Sequence, residues 1–558
     1  MPRMVILSNK TLPREELDLA QIKDEEMRQF VSGLLNIIED LSSTVRRLQA
    51  ENQRLRDENN QLKGEQGQPL IKAKKVKQDH SSENERRRPR QHHKSSKVPE
   101  IKIDREEVLQ VDRTCLPADA EFKGYDDVVV QDIIIGTDNI LFRKEKFHSK
   151  SEGKTYLASL PPGYQGEFGP HLRTQVLVLY YACQMTEPKI RAWLLQIGIK
   201  ISTGTISNML IKGHEQFHQE EAASYEAALE QCPWQHIDDT GTRVDGDNQH
   251  CHVVDSPLAT HYRTLPSKSR LSVIKVLLNT EQLTFRLNAE ALQLLETLNV
   301  PQKSIQDIMG LPLEQDFEEA FMLEWLVDHL PNLNHTQQQA VLSALAIAAY
   351  HAQTDLPVVD LLICDDAPQF KRITTALALC WVHEGRSYKK LEPTIPYHQL
   401  LRDKFLRAFW KLYHRLKVYR QQPCPEKVAL LERQFDRLFA VQSGYDALDK
   451  LIARTRKHKT QLLMVLHHPE IELHNNPAEL SVRHRVRKRK ISFGPRVADG
   501  VQAWDTFMSL LATTRKLGLN FPDYLLDRIT QQRHIPPLPD LILVQAQQLN
   551  LGSSWQAV

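Results

Sequence analysis

Five carboxylates carry the chemistry this sequence could perform. In "CPWQHIDDTGTRVDGDNQHCHVVD" an apolar-flanked strand is expected to end in Asp238 and Asp239. In "VVDLLICDDAPQF" a short apolar strand, Leu361 to Cys364, stops at Asp365 and Asp366, as suits a parallel strand whose carboxyl end opens into a site. In "HNNPAELSVRHRVRKRKISFGP" Glu479 stands at a helix start. Carboxylate oxygens are hard ligands that select Mg²⁺ or Mn²⁺. Two such ions about 3.5–4 Å apart can stabilise both the attacking and the leaving oxygen of an in-line phosphoryl displacement. That would be DNA or RNA strand chemistry without a covalent enzyme intermediate. Each acid also has a bland role: the aspartates as solvated turn residues, and Glu479 as the third position of a capping box with Asn476 as N-cap and Pro477 first. Sequence separation by itself brings none of them together.

After Glu479 the same helix continues with Arg483, Arg485, Arg487, Lys488, Arg489 and Lys490, with almost no acid among them. Like charges at helical spacing cost a few tenths of a kcal/mol each, so an anion is expected nearby. Arg483 and Arg487 follow Glu479 by one and two helical repeats and share a face with it, and Lys490 lies close to that face. Guanidinium groups placed there would hold phosphates bidentately. A solvated basic helix is the alternative.

The elements that must position these residues are embedded in a chain of 558 residues, 41% hydrophobic and 25% charged, which indicates a soluble, multidomain globular protein. The net charge of +2 hides basic blocks near 72–97 and 483–490. No apolar run reaches membrane-span length, and the N-terminus turns acidic too early for a secretory signal. An intracellular protein with no membrane partner is expected. The seven cysteines (Cys115, Cys183, Cys232, Cys251, Cys364, Cys380 and Cys424) are scattered and form no CxxC, which argues against a disulfide framework and against a cysteine-based zinc site.

Residues 1–66 contain a heptad repeat, with Leu34, Leu41, Leu48, Leu55 and Leu62 at one position and Val31, Ile38, Val45, Asn52 and Asn59 at the other. This pattern predicts a parallel coiled-coil dimer or a higher homo-oligomer. Residues 67–99 form a basic linker with almost nothing to bury. Residues 100–165 read as a small strand-containing module and 166–225 as helical. There, Ile190, Trp193, Leu194 and Ile197 mark one helix, Gly198 a turn, and Ile206, Met209 and Leu210 a second helix capped by Ser202 or Thr203. That spacing suits a helix-turn-helix whose Ser202, Thr203, Thr205 and Asn208 would face a major groove, or a plain helical hairpin. The core is then divided into 226–286, 356–398 and 466–530, with helical insertions at 287–355 and 399–465 and a tail at 531–558.

Taken in order, "HIDDTGTRVDG", "SKSRLSVIKVL", "LLICDDAPQF", "ALCWVHEGRSYKKL" and "NNPAELSVRHRVRKRKISFG" resemble the blocks of DDE transposases of the insertion-sequence 66 family, and the zipper, linker and helix-turn-helix ahead of them match that family's layout. The resemblance implies an α/β fold: a ribonuclease-H-like core, a mixed sheet with helices, interrupted by helical insertions. It implies catalytic and metal-binding roles for Asp238, Asp365 and Glu479, with Asp366 the alternate to Asp365, and a requirement for Mg²⁺ or Mn²⁺, as two ions. The implied partners are DNA at element ends and target, a second copy of the chain, and accessory transposition proteins, and the implied location is the prokaryotic cytoplasm, on the nucleoid when bound to DNA. Two departures stand out. Asp239 replaces the family's usual Glu, and the 100–165 module keeps only Cys115 where many relatives have zinc-binding cysteines, so zinc is not expected there. Cys380 and His383 of "CWVH" are expected to pack near the site.

Overall fold

The computed structural model describes residues 19, 22–62, 102–112, 116, 120–164 and 166–555. The linker expected at 67–99 lies outside the described residues. Helix α1 (Glu25–Leu62) is continuous across the heptads, and its Leu34, Ile38, Leu41, Val45, Leu48 and Leu55 are exposed. Among the described residues of the 100–165 region the strand content is one hairpin, β1 (Lys146–Ser149) with β2 (Lys154–Leu157).

Helices α2 (Pro170–Leu177), α3 (Glu187–Gln196), α4 (Thr203–Ile211) and α5 (Glu215–Gln231) follow, with a π-helical turn, Val178–Ala182, extending α2. Prolines near the start of α2 and α3 fit the first helical turn, where an N–H is dispensable. Gly198, at φ +90, turns the chain between α3 and α4. Ser202 is the cap of α4, its Oγ accepting from the Thr205 N–H at 3.0 Å. Ile190, Leu194, Ile206, Met209 and Leu210 are buried, as their helical spacing predicts.

The central sheet begins as a meander of β3 (Trp234–Val244), β4 (Asp247–Asp255) and β5 (Thr260–Leu265). Asp245 and Gly246 both have positive φ (49 and 91), the geometry of a two-residue hairpin turn. Next come α6 (Arg270–Leu277), β6 (Thr284–Arg286), α7 (Ala289–Thr297), α8 (Gln302–Ile308), β7 (Asp316–Glu318), α9 (Glu319–His329) and α10 (His335–Ala352). Strands β8 (Leu361–Cys364) and β9 (Ala376–Leu379) then join in parallel, giving the order β5-β4-β3-β8-β9. The fold is therefore mixed α/β around a five-stranded mixed sheet. One expectation is corrected: β3 does not end at Asp238 and Asp239. It runs on to Val244 because β4 supplies hydrogen-bonding partners where β8 has already stopped.

The rest of the described chain is helical: α11 (Trp381–Lys389), α12 (Pro396–Gln421), α13 (Pro425–Phe439), α14 (Asp446–Lys457), α15 (Lys459–Leu462), α16 (Asn476–Ser492), α17 (Ala498–Lys516), α18 (Phe521–Thr530) and α19 (Leu538–Leu549). Alternation along the strands divides the core. Ile237 and Val254 join a large cluster with α6, α10 and the helices of 396–457, while Cys251, Val253 and Tyr262 join a second one with α2, α4 and α17. Every residue of α10 from Val341 to Tyr350 is buried, so the stretch expected as an insertion at 287–355 contributes a central core helix as well as the small β6–β7 pair.

Two members of the basic run belong to this second core. The Arg485 guanidinium is buried, 2.9 Å from Asp505, donates to the Thr264 hydroxyl at 2.9 Å and lies over the Trp504 ring. Lys488 Nζ sits 3.1 Å from the centre of the Tyr180 ring, and burial holds its pKa down to about 7. Replacing Arg485 with Met would leave Asp505 buried without its cation. We expect a loss of about 3–5 kcal/mol, read as a lower urea midpoint at unchanged slope. The double variant Arg485→Met/Asp505→Leu should recover most of it.

Candidate active site

His236 stands opposite Ile363 in the parallel β3–β8 pair. Two residues further along each chain come Asp238 and Asp365. The pairing register thus carries the two carboxylates to the same level, just past the end of β8, on one face. The negative charges of Asp365 and Glu479 both act on Asp238, so the three acids share one electrostatic neighbourhood. Burial first, and then the charges of Asp365, Asp239 and Glu479, push the Asp238 carboxyl up to about 7.

Helix α16 brings Glu479 there, and Asn475 fixes where that helix starts. The capping-box expectation is corrected: the N-cap is Asn475, it makes no side-chain capping bond, and Glu479 lies one position beyond the capping-box place. The Asn475 side chain is occupied elsewhere. Its Nδ2 donates to the Ile237 carbonyl at 2.8 Å, and its Oδ1 accepts from His236 Nδ1 at 3.1 Å. Its backbone N–H donates to Cys380 Sγ at 3.3 Å, and its carbonyl accepts from the Glu479 N–H at 3.0 Å. One buried residue therefore ties the strand of Asp238, the start of α11 and the turn bearing Glu479.

Glu479 is buried and faces basic side chains. Arg386 lies at 3.2 Å, Arg483 at 3.4 Å and His383 Nδ1 at 3.5 Å from its carboxylate. Burial and the neighbouring Arg386 hold the His383 pKa below the ordinary imidazole value, favouring the neutral ring. Cys380 caps α11, its Sγ accepting from the His383 N–H at 3.4 Å, and burial pushes its thiol up to about 11. Beside Asp365 a cavity of about 320 Å³ opens, bordered by Asp366, Cys380, His383, Glu384 and Arg454; Asp238 and Glu479 lie beyond its rim.

The paired aspartates have separate environments. Asp365 accepts from the Ala367 N–H at 3.1 Å and is the one whose charge reaches Asp238. Asp366 meets Lys371 at 2.6 Å, so its charge already has a cationic neighbour, and His458 lies at 3.8 Å. Asp239 accepts from Gln369 Nε2 at 2.7 Å. Arg487 and Lys490 are exposed on α16. Ser202, Thr203 and Asn208 are exposed and Thr205 half-buried on α4, whose inner side packs on α2 and α17, elements other than those carrying the carboxylates. Arg386, Asn475 and His236 were not singled out from the sequence. Arg386 and Asn475 lie within the quoted blocks "HEGRSYKKL" and "NNPAE", and only the fold shows what they touch.

The profile of the family described as "Transposase IS66 family" matches residues 165–281 and 348–503. The chain is also 33% identical over 321 residues to an uncharacterized protein, y4jO, of Sinorhizobium fredii, covering 57% of this chain and 99% of that protein. The chain belongs to the IS66 transposase family. No solved structure matches it. The first matched segment contains Asp238 and the second contains Asp365, Glu479 and the basic helix, so the family signature falls on the elements that converge here. A transposase is expected to act on DNA. Among the described residues no helix is long and apolar enough to cross a membrane.

The raised Asp238 pKa gives a pH dependence. Unfolded, the carboxyl titrates near about 3.9; folded, it holds its proton up to about 7. Its contribution to stability is thus full below the unfolded value and is lost as pH rises through the folded one. In chelator, Asp238→Asn should raise the melting temperature relative to the natural chain at pH 8 and leave it unchanged near pH 4. An equal shift at both pH values would show that Asp238 does not hold a proton in the folded protein.

Proposed function

We propose that this transposase-family chain is the catalytic subunit that cuts and joins the DNA of an insertion sequence by a DDE mechanism. The single observation behind this reading is the meeting of Asp238, Asp365 and Glu479 at the end of the β3–β8 pair. A meander followed by two parallel strands, with the acids at that point, supports a ribonuclease-H-like core.

The donor set fits a hard divalent cation. Three carboxylates gather in a half-buried place where burial first, and then their mutual repulsion, already raises Asp238, and an oxygen-rich, negative cluster of that kind suits Mg²⁺ or Mn²⁺. Asp238, Asp365 and Glu479 would hold one or two such ions, which when bound would supply Lewis acidity and lower the pKa of a water molecule or a DNA 3′-hydroxyl. Arg386 and Arg483 hold the Glu479 carboxylate in place from two sides. Arg487 and Lys490 lie free to hold phosphates flanking the cleaved bond. The α3–α4 pair, presenting Ser202, Thr203, Thr205 and Asn208, would recognise element ends as a helix-turn-helix. The exposed heptad stripe of α1 would pair two copies so that both ends are handled in one complex, with accessory transposition proteins as further partners.

The test uses the purified full chain, DNA carrying the ends of its own element, and Mg²⁺ or Mn²⁺. Asp238→Ala and Glu479→Gln should each lower end cleavage and joining by more than about 100-fold, since even outer-shell losses cost 10–100-fold at metal sites. Asp366→Asn should retain most activity, because Asp366 is engaged by Lys371. Natural-rate joining by Glu479→Gln would sink the reading.

The basic helix makes its own prediction. Arg487→Ala and Lys490→Ala should each weaken DNA binding and reduce the slope of log K against log salt by about one. Lys488→Met should leave that slope unchanged, because its ammonium is buried over Tyr180.

A further inference from the structure

Helix α1 has two working sides, and only one of them is used within the chain. With Val31, Ile38 and Val45 at the first core position of the heptad and Leu34, Leu41 and Leu48 at the second, Ser32, Asn36 and Glu39 fall on the opposite, outer side of the helix. That outer side is bound in cis. Glu39 is buried, and its carboxylate accepts from the backbone N–H groups of Thr394 at 2.5 Å and Ile395 at 3.0 Å and meets His398 Nδ1 at 3.1 Å. These donors surround the start of α12, whose first N–H groups have no partner within the helix. His398 is itself stacked on Tyr445. Ser32 Oγ and Asn36 Nδ2 both donate to the Gly444 carbonyl at 3.0 Å, and Asn36 Oδ1 accepts from the Asp446 N–H at 3.2 Å. Gly444 has φ +83, and a Cβ there would stand 3.2 Å from Ser32 Oγ, so the loop approaches α1 closely only as glycine.

The seam side remains uncovered. Leu34 (43%), Leu41 (62%) and Leu48 (59%) are exposed in a continuous stripe. The flanking charges indicate what covers it. Glu51 and Arg56 occupy the two edge positions of successive heptads at the five-residue spacing that pairs across a parallel two-stranded coiled coil. The occupant is therefore α1 of a second copy, running parallel.

We propose that α1 is a pinned pairing arm: its polar outer side is locked to the α12–α14 helices of its own chain while its apolar seam takes the same helix of a second copy, so that dimerisation fixes the relative orientation of the two cores. Helix α14 links the lock to the carboxylate site. Asp446 at its start touches Asn36, and Arg454, about 12 Å further along at 1.5 Å per residue, pairs with Glu384 at 2.9 Å on the cavity wall. The proposal rests on the dimer part of the reading above and is independent of catalysis.

The test compares three full-length proteins without DNA: the natural chain, a seam variant (Leu41→Lys/Leu48→Lys) and a lock variant (Asn36→Ala/Glu39→Gln). Light scattering should find dimers for the natural chain and the lock variant and monomers for the seam variant. Hydrogen exchange of the 390–398 segment should speed up at least tenfold in the lock variant and stay slow in the seam variant. Small-angle scattering should show a larger maximum dimension for the lock dimer than for the natural one. A monomeric natural chain, a dimeric seam variant, or a lock variant whose exchange and scattering match the natural dimer would each overturn the proposal. None of these readouts involves cleavage, so a failure here is distinguishable from a failure of the transposase reading.

Discussion

Carboxylates gathered away from bulk water repel one another, and a folded chain can keep them together only by adding protons, cations or hydrogen-bond donors. The site at the end of the β3–β8 pair uses each of these. Asp238, pushed up by burial and then by its acidic neighbours, tends to keep its proton to about 7. Glu479 is flanked by Arg386 and Arg483. Asp365 takes a backbone N–H from Ala367. Removing water strengthens each of these interactions as well as the repulsion. In the function proposed above, a divalent cation would take the place of the proton on Asp238.

Rigidity follows from backbone pairing more than from side chains. Parallel registry sets Asp238 beside Asp365 with no freedom to slip, since a one-residue shift would turn Ile237 out of its core and Asp238 into it. Helix α16 packs on β3 and β4 but has no ladder pairing to fix its register. Asn475 supplies the missing constraint by bonding the backbone and imidazole of the two residues before Asp238. The packing of Arg485 and Lys488 among Trp504, Tyr180 and Asp505 then holds the rest of the helix. Cations in the middle of the basic run thus serve the fold, and those displayed outward remain for an anion.

Much of this was legible in the sequence, and the gaps have physical causes. The meander, the apolar strand stopping at Asp365, the α3–turn–α4 unit and the unbroken α1 follow from periodicity and turn residues, which are local. The misplacement of Asp238 at a strand end arose because local apolarity stops at Ile237, whereas the strand continues for as long as β4 offers partners. The helix start at Glu479 was misjudged because Asn475 and Asn476 are equally good caps by type, and the tertiary demand of His236 and Ile237 on Asn475 leaves its side chain no capping role. The burial of Arg485 and Lys488 could not be read either, since charge runs look alike whether they face water or aromatic rings contributed by segments far away in sequence.

The same logic bears on α1. A heptad pattern specifies one side of a helix and is silent about the other, because the outer positions of a coiled coil are polar whether they meet water or protein. Ser32, Asn36 and Glu39 are ordinary outer residues by composition, yet each is fully engaged with backbone groups near 394 and 444. Those backbone groups are a helix start and a glycine loop, which need acceptors and donors that their own segment cannot provide. The outer face of α1 is therefore specified by the unsatisfied backbone of the helices it rests on, while in the proposed dimer its seam would be specified by the need to bury leucines against a second copy. In that dimer, two independent demands placed on opposite sides of one rigid helix would make it a connector between the core and the dimer axis instead of a loosely tethered zipper.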